Sequence, residues 1–267
     1  MYRTAIKNTL KNEGTTRAAA LAFYAFFSLF PLILIFFSVL GFLIDSPEIK
    51  QNAQNFFADL FPTIKPSIIK TINYSVELKQ KLGIIGLVIL IWPAVYFFTA
   101  LEEAVNKAWK VQSERHFIKK KLLSVVLMFI TGFILLISIS ATSILMLVSK
   151  IPIISDILGK IVPLQDLTNI VLTFLTAFLL FLSFYKFLPN TFVTFREILT
   201  GTIITTILWV ILLYCYILFV TSYFTDYQIL FGPVATLIAT LGWLYISCAI
   251  IIIGAEFCSE YARKLYQ

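Results

Sequence analysis

Six stretches of this 267-residue chain stay apolar over lengths that match the hydrocarbon thickness of a bilayer: about 18–44, 83–101, 120–149, 167–188, 196–225 and 229–255. A helix rising about 1.5 Å per residue needs roughly 20 such residues to cross. In lipid each backbone N–H and C=O must be bonded within its own segment, which leaves the helix as the only form for runs this long. The fold expected is all-α, a polytopic six-transmembrane-helix bundle forming a single integral membrane domain over residues 1–267. Composition agrees: 60% of residues are hydrophobic, 13% are charged and the mean hydropathy is +0.93, where a soluble domain has roughly 45–50% apolar residues. The first stretch is too long for the apolar core of a signal peptide and lacks a cleavage site, so it is expected to stay in the mature protein.

Charge sets the orientation. Counted loop by loop with the N-terminus inside, fourteen Lys and Arg fall on the inner side and seven on the outer, which predicts that both termini are cytoplasmic. Acidic residues divide evenly, so the net charge of +7 belongs to the cytoplasmic face. Anionic lipid headgroups are the partner expected there. No aromatic platform accompanies the basic residues, and nucleic acid is not an expected partner. Cys215, Cys248 and Cys258 lie in or beside the last two spans and read as packing residues rather than a disulfide framework.

The longest connection, 45–82, falls on the outer side. Ile64, Ile68, Ile72 and Val76 recur there every four residues while Lys65, Lys70, Lys79 and Lys81 fall mostly elsewhere, the pattern of amphipathic helices in an outer loop. Lying on the outer leaflet and folding over the bundle as a cap fit this pattern equally. Between the second and third spans, "EEAVNKAWKVQSERHFIKKK" reads as a further amphipathic or polar element.

Within the spans, polar residues form stripes. Arg17, Tyr24, Ser28, Pro31 and Ser38 share one face of the first span. Pro31 cannot donate a hydrogen bond and frees the carbonyl of Phe27, so this face is expected to turn away from lipid, toward protein or a water-lined cavity. Ser124, Thr131, Ser138, Thr142 and Ser149 mark the third span, Thr173, Thr176 and Ser183 the fourth, Thr202, Thr205 and Thr206 the fifth, and Thr236, Thr240, Trp243 and Ser247 the sixth. Such hydroxyls either line a path or join helices, at about 0.6 kcal/mol per bond. Tyr24, Ser28, Pro31, Thr236, Thr240 and Ser247 are the candidate solute path. Pro93 and the Gly232–Pro233 pair mark irregular backbone, or in the second case a first-turn proline. Glu256 closes a long apolar run, where an acid is expensive unless paired or solvated. It lies opposite the Thr240 stripe and is expected either to latch onto Lys186, Arg196 or Arg17, or to act with Arg17 as gate or coupling charge.

Familiar catalytic chemistry is missing. His116 is the only histidine, so neither a His-rich metal site nor a Ser/His/Asp triad can be assembled, and no phosphate-binding glycine loop is present. Glu102 with Glu103 and Asp156 with Asp166 read as span-end or loop residues rather than a two-metal cluster. A lipid-modifying enzyme would have to draw its site from Tyr185, Asn190, Arg196 and Glu256. The expectation is no enzyme, no cofactor and no metal.

The blocks "AAALAFYAFFSLFPLILI", "FTALEEAVNKAWK", "YKFLPNTFVTFREILTGTIITTILW" and "FGPVATLIATLGWLYISCAIIIIGAEF" together resemble the YihY / virulence factor BrkB family, in the same order and over nearly the whole chain. Segment 45–82 is the least similar part. The resemblance implies a multi-pass protein of the bacterial cytoplasmic (inner) membrane with about six spans. Matching motif positions are Tyr24, Ser28, Phe30 and Pro31, then Leu188, Pro189 and Asn190, then Gly254, Ala255 and Glu256. Some members carry a ribonuclease name, for which this sequence supplies no catalytic residues. The function expected is a secondary transporter or permease for an unidentified small solute. The alternative is a non-transporting scaffold or envelope-assembly protein, and the stripes suit a monomer and an oligomer alike.

Overall fold

The computed structural model describes residues 2–43, 51, 55, 84–113, 115–149, 164–223 and 232–266. They form seven helices: α1 (Tyr2–Lys11), α2 (Gly14–Leu43), α3 (Ile84–Ala108), α4 (Phe117–Ser149), α5 (Leu164–Phe187), α6 (Phe195–Ser222) and α7 (Pro233–Leu265). The all-α architecture matches expectation, and α2 to α7 coincide with the six apolar stretches. Among the described residues, four helical segments, Phe117–Ala141, Asn169–Phe187, Phe195–Ser222 and Val234–Leu265, are long and apolar enough to cross a membrane. The outer segment 45–82, with its predicted amphipathic helices, lies outside the described residues apart from Gln51 and Asn55.

Several boundaries differ from the sequence reading, each for a local reason. Pro31 and Pro93 lie within continuous helices, and neither interrupts its helix. Pro233 opens α7 directly after Gly232, whose φ of 56° suits a glycine, so this pair starts a helix rather than breaking one. The segment beginning "EEAVNKAWK" is not a separate element, because α3 continues to Ala108 and a short turn leads into α4. At the N-terminus, α1 is an additional amphipathic helix whose Ala5 and Thr9 are buried. It packs against α7 and α2.

The bundle is arranged around α7, which packs against α6, α2, α1, α3 and α5, while α4 touches only α3 and α5 among its closer neighbours. From Gly254 to Ser259 every residue of α7 is buried. Such encirclement needs close backbone approach, and two glycines allow it. A Cβ at Gly254 would lie 1.8 Å from Thr205 Oγ1 and 2.2 Å from the Tyr185 hydroxyl, and one at Gly201 would lie 2.2 Å from Cys258 Sγ and 2.9 Å from the Gly254 carbonyl oxygen. Small residues at membrane helix crossings serve this purpose. Tyr185, wholly buried on α5, ties the junction together: its hydroxyl is 2.9 Å from Thr205 Oγ1 and donates to the Ile251 carbonyl at 2.8 Å. Outward, α4 exposes Phe117, Leu122, Phe129 and Phe133, and α6 exposes Ile203, Ile207, Ile211 and Leu218, apolar surfaces suited to lipid.

Replacing Gly254 by Ala is expected to lower stability by about 1–3 kcal/mol, the usual cost of overpacking. Gly242→Ala, at a position with nothing within 4 Å, should be neutral or stabilising by up to about 1 kcal/mol through helix propensity. Thermal unfolding of both variants in detergent micelles checks the contrast.

Candidate functional site

Both chain termini lie at one end of the bundle, and the polar chemistry of the described residues concentrates there. It begins with the end of α3. The Lys110 N–H donates to the Lys107 carbonyl and the Val111 N–H to the Asn106 carbonyl, the two bonds of a Schellman cap. The cap requires a left-handed residue, normally glycine, yet Lys110 fills it with φ 53°. The chain then turns sharply and brings Arg115 back beneath α3.

Arg115 is the centre of a buried polar junction. Its Nη1 donates to Glu102 Oε1 and to the Leu188 carbonyl, both at 2.9 Å, while Nη2 donates to the carbonyls of Phe187 and Pro189 at 3.3 and 3.0 Å. One guanidinium therefore satisfies the orphan carbonyls at the end of α5 and neutralises an acid that is 1% exposed. The motif residues Pro189 and Asn190 belong to this junction. The Asn190 N–H donates to Asn106 Oδ1 at 2.7 Å and its side-chain amide to the Ser113 carbonyl at 2.9 Å. Glu102 lies just past the apolar stretch of α3; burial pushes its carboxyl above the ordinary value, while Arg115 offsets part of that rise.

A second junction surrounds Glu256, which is 0% exposed. Asn12, in the turn after α1, donates to Glu256 Oε1 at 2.6 Å, and Asn8 of α1 donates to Glu260 Oε1 at 2.9 Å. Glu256 Oε2 is buried without a partner among the described residues. The expected latch to Lys186, Arg196 or Arg17 is corrected here. Lys186 donates to the Val193 carbonyl and sits 4.7 Å above the Phe195 ring, Arg196 is exposed, and Arg17 reaches the Asn12 carbonyl at 3.2 Å. The physical reason is α1, which folds back over the end of α7 and supplies the nearer donor.

The remaining candidates are distributed along the bundle. Tyr24 is half-buried and turns toward α3, its ring centroid 6.0 Å from that of Tyr96. Ser28 is buried and bonds its own helix at the Ala25 carbonyl, while the Pro31 side chain lies outside the described residues. On α7, Thr236 is half-buried, Thr240 and Ser247 are buried, and the Ser247 hydroxyl has no partner among the described residues. Gly254 lies at the close crossing with α5 and α6. Tyr185 is consumed by that same crossing, so the group Tyr185, Asn190, Arg196 and Glu256 does not converge: each is engaged or exposed in a separate place.

Between the two junctions opens a crevice of about 630 Å³, lined by residues of the Trp109–Ser113 turn, the Asn190–Phe192 turn, Glu197, and Ser259 to Tyr266 of the C-terminal end. Trp109, Lys110, Asn12, Asn106 and Arg115 were not singled out from the sequence. The positive φ at Lys110 has no sequence signature, and the carbonyl partners of Arg115 lie more than seventy residues away at the end of α5.

These features define a class, a polytopic helical membrane protein whose polar groups gather at one end of the bundle. The chain belongs to the virulence factor BrkB family, whose model matches residues 5–267. A UPF0761 membrane protein of Idiomarina loihiensis is 28% identical over 209 residues, covering 78% of this chain and 72% of the relative. A UPF0761 membrane protein of Kangiella koreensis is 24% identical over 93% of this chain but only 60% of its own length. A Bacillus subtilis relative, 23% identical over 92% of this chain and 89% of its own, carries the name putative ribonuclease-like protein YfkH. No solved structure matches.

Arg115→Gln is expected to destabilise the fold by roughly 3–5 kcal/mol, because it strands a buried carboxylate. With Arg115 gone and Lys120 the remaining cation acting on it, the carboxyl is raised further by burial, and folded Glu102 takes up a proton before the unfolded chain does. The variant should therefore lose stability as pH rises above the unfolded carboxylate value and regain it toward pH ~5. Adding Glu102→Gln should remove that pH dependence, as read by thermal unfolding across the range.

Proposed function

We propose that the protein is a non-enzymatic secondary transporter or permease for a small solute in the bacterial cytoplasmic membrane, crossing six times with both termini in the cytoplasm. The observation that carries this is Glu256, fully buried at the end of α7, with one carboxylate oxygen held by Asn12 and the other unpartnered among the described residues. A costly ionisable group so placed is a suitable acceptor for a coupling proton or cation. Its polar ligand is carried by a separate element, so movement of α1 would alter the carboxylate's surroundings. Arg17 reaches the carbonyl of the same Asn12. With 30 and 25 residues, α2 and α3 are long enough to supply the fifth and sixth crossings. The surplus of Lys and Arg beside the termini supports the orientation. Tyr24, Ser28 and Pro31 on α2 with Thr236, Thr240 and Ser247 on α7 are the proposed path.

A scaffold is the second reading, and one set of contacts favours it. Thr99 with Ser124, Ser138 with Thr176, and Tyr185 with Thr205 close hydroxyl against hydroxyl between neighbouring helices. Stripes satisfied this way need no water-filled path.

Flux into proteoliposomes, measured for a panel of metabolites and ions under imposed proton and sodium gradients, separates the two. Saturable uptake is expected, with Glu256→Gln removing its gradient dependence and Ser28→Trp blocking it. Uptake indifferent to both substitutions would sink the residue assignment. No uptake by folded protein across the whole panel would favour the scaffold.

A further inference from the structure

Lys121 points against the usual direction for a lysine at a membrane surface. On α4 a side chain leaves the backbone leaning toward the helix N-terminus, which lies at the end of the bundle that carries both chain termini. A long cationic side chain near that end ordinarily runs on in the same direction and places its charge in water. Contacts between α3 and α4 give the level of each residue: Lys120 meets Glu103 at 2.5 Å, and Ser124, one turn deeper, lies 3.0 Å from Thr99. The Lys121 ammonium reaches Thr99 Oγ1 at 3.3 Å and sits 4.0 Å above the Tyr96 ring. It is therefore turned toward the middle of the bundle, where a charge is expensive.

The contacts it makes there leave it unfilled. An ammonium has three N–H donors; Thr99 takes one at a long distance, and Tyr96 receives the charge on its face. No carboxylate of the described residues pairs with it. Glu103, the acid whose field reaches it, is bound to Lys120. The first two turns of α4 hold Lys119, Lys120 and Lys121 and no acid, and Lys119 is exposed. Around the half-buried Lys121 the surface is aromatic and open. Trp92 is 62% exposed with its ring 4.9 Å from that of Tyr96, and Phe117 is 70% exposed at 5.8 Å from the ammonium. Because α2 packs on one side of α3 and α4 on the other, the face of α3 that carries Tyr96 and Trp92 forms a shallow groove between them. Its cation stands at the end nearer the termini.

We infer that this groove is a binding site for an anionic phospholipid, its phosphate on Lys121 and an acyl chain running along α3 over Tyr96 and Trp92. A phosphate oxygen supplies the charged partner that the ammonium lacks. Tyr and Trp rings suit the level where headgroup gives way to chain, each being polar at one edge and apolar over its face. The site is distinct from the diffuse attraction of a basic face for anionic headgroups, since it depends on where one ammonium is held. It stands whether or not the chain moves a solute.

The test places the full chain in phosphatidylcholine nanodiscs containing rising fractions of phosphatidylglycerol or phosphatidylcholine brominated on the acyl chains. The tryptophan emission that is absent from Trp92→Phe reports which lipid lies against Trp92. Brominated phosphatidylglycerol should half-quench this emission at an about fivefold lower fraction than brominated phosphatidylcholine, the preference of one basic contact. Lys121→Gln, which keeps a donor for Thr99, should bring the two fractions together. Lys119→Gln removes the same charge from the same turn and should leave the preference in place, and melting temperatures close to that of the native chain show both variants folded. Equal quenching by the two lipids in the native chain, or a preference that survives Lys121→Gln, overturns the inference. So does a preference lost equally in Lys119→Gln, which assigns it to diffuse surface charge. Millimolar inorganic phosphate should leave the preference unchanged; its abolition would give the cation to a soluble anion and overturn the lipid assignment.

Discussion

Helices α5, α6 and α7 meet where residue 254 has no side chain, because any Cβ there would fall within 1.8 Å of the Thr205 hydroxyl. The approach lets Tyr185 reach across to Thr205 and to the Ile251 carbonyl, and lets Cys258 fill the space over Gly201. Lipid tails are as apolar as leucine, so burying more apolar surface gives little drive for helices to associate. Close van der Waals packing and a few hydrogen bonds must do so instead. With α7 thus enclosed, the remaining helices have a fixed axis to pack around, and the acids near its end are held away from solvent.

The hydroxyls illustrate how the same residues answer to two constraints. Thr202, Thr205 and Thr206 each return their hydroxyl proton to a carbonyl one turn earlier on α6, at 2.8 Å. Their protons are spent within their own helix, which lets a polar side chain enter an apolar interior at small cost and leaves the Thr205 oxygen free to face Tyr185. Ser138 instead accepts from Thr176 of α5, and Ser124, which also bonds the Lys120 carbonyl, lies 3.0 Å from the Thr99 hydroxyl of α3. Ser247 and Thr131 do neither within the described residues.

Length and apolarity made the long helices legible in the sequence, because a bilayer leaves one backbone solution for each run. The inward turn of several stripes was legible for the same reason: lipid rejects an unpaired hydroxyl. What escaped was everything that depends on chain reversal. Tyr2–Lys11 carries amphipathic spacing, but its polarity reads as a basic terminus until Ala5 and Thr9 are seen buried. Arg115 looks like one more positive-inside charge, since nothing local reveals that the end of α5 arrives beneath it. Glu256 was recognised as costly from its position alone. Its partner was assigned by charge, whereas the structure satisfied it with the neutral amide of Asn12.

The strap formed by α1 also has a temporal meaning. Asn12 and Glu256 are separated by 244 residues and Asn8 and Glu260 by 252, so α1 leaves the ribosome well before the acids it is to hold. At about 5–20 residues per second, α1 spends on the order of ten seconds or more without the acids that receive its asparagines. Closure of this end is thus a late event in the protein's biogenesis, and an incompletely synthesised chain leaves the strap unfastened.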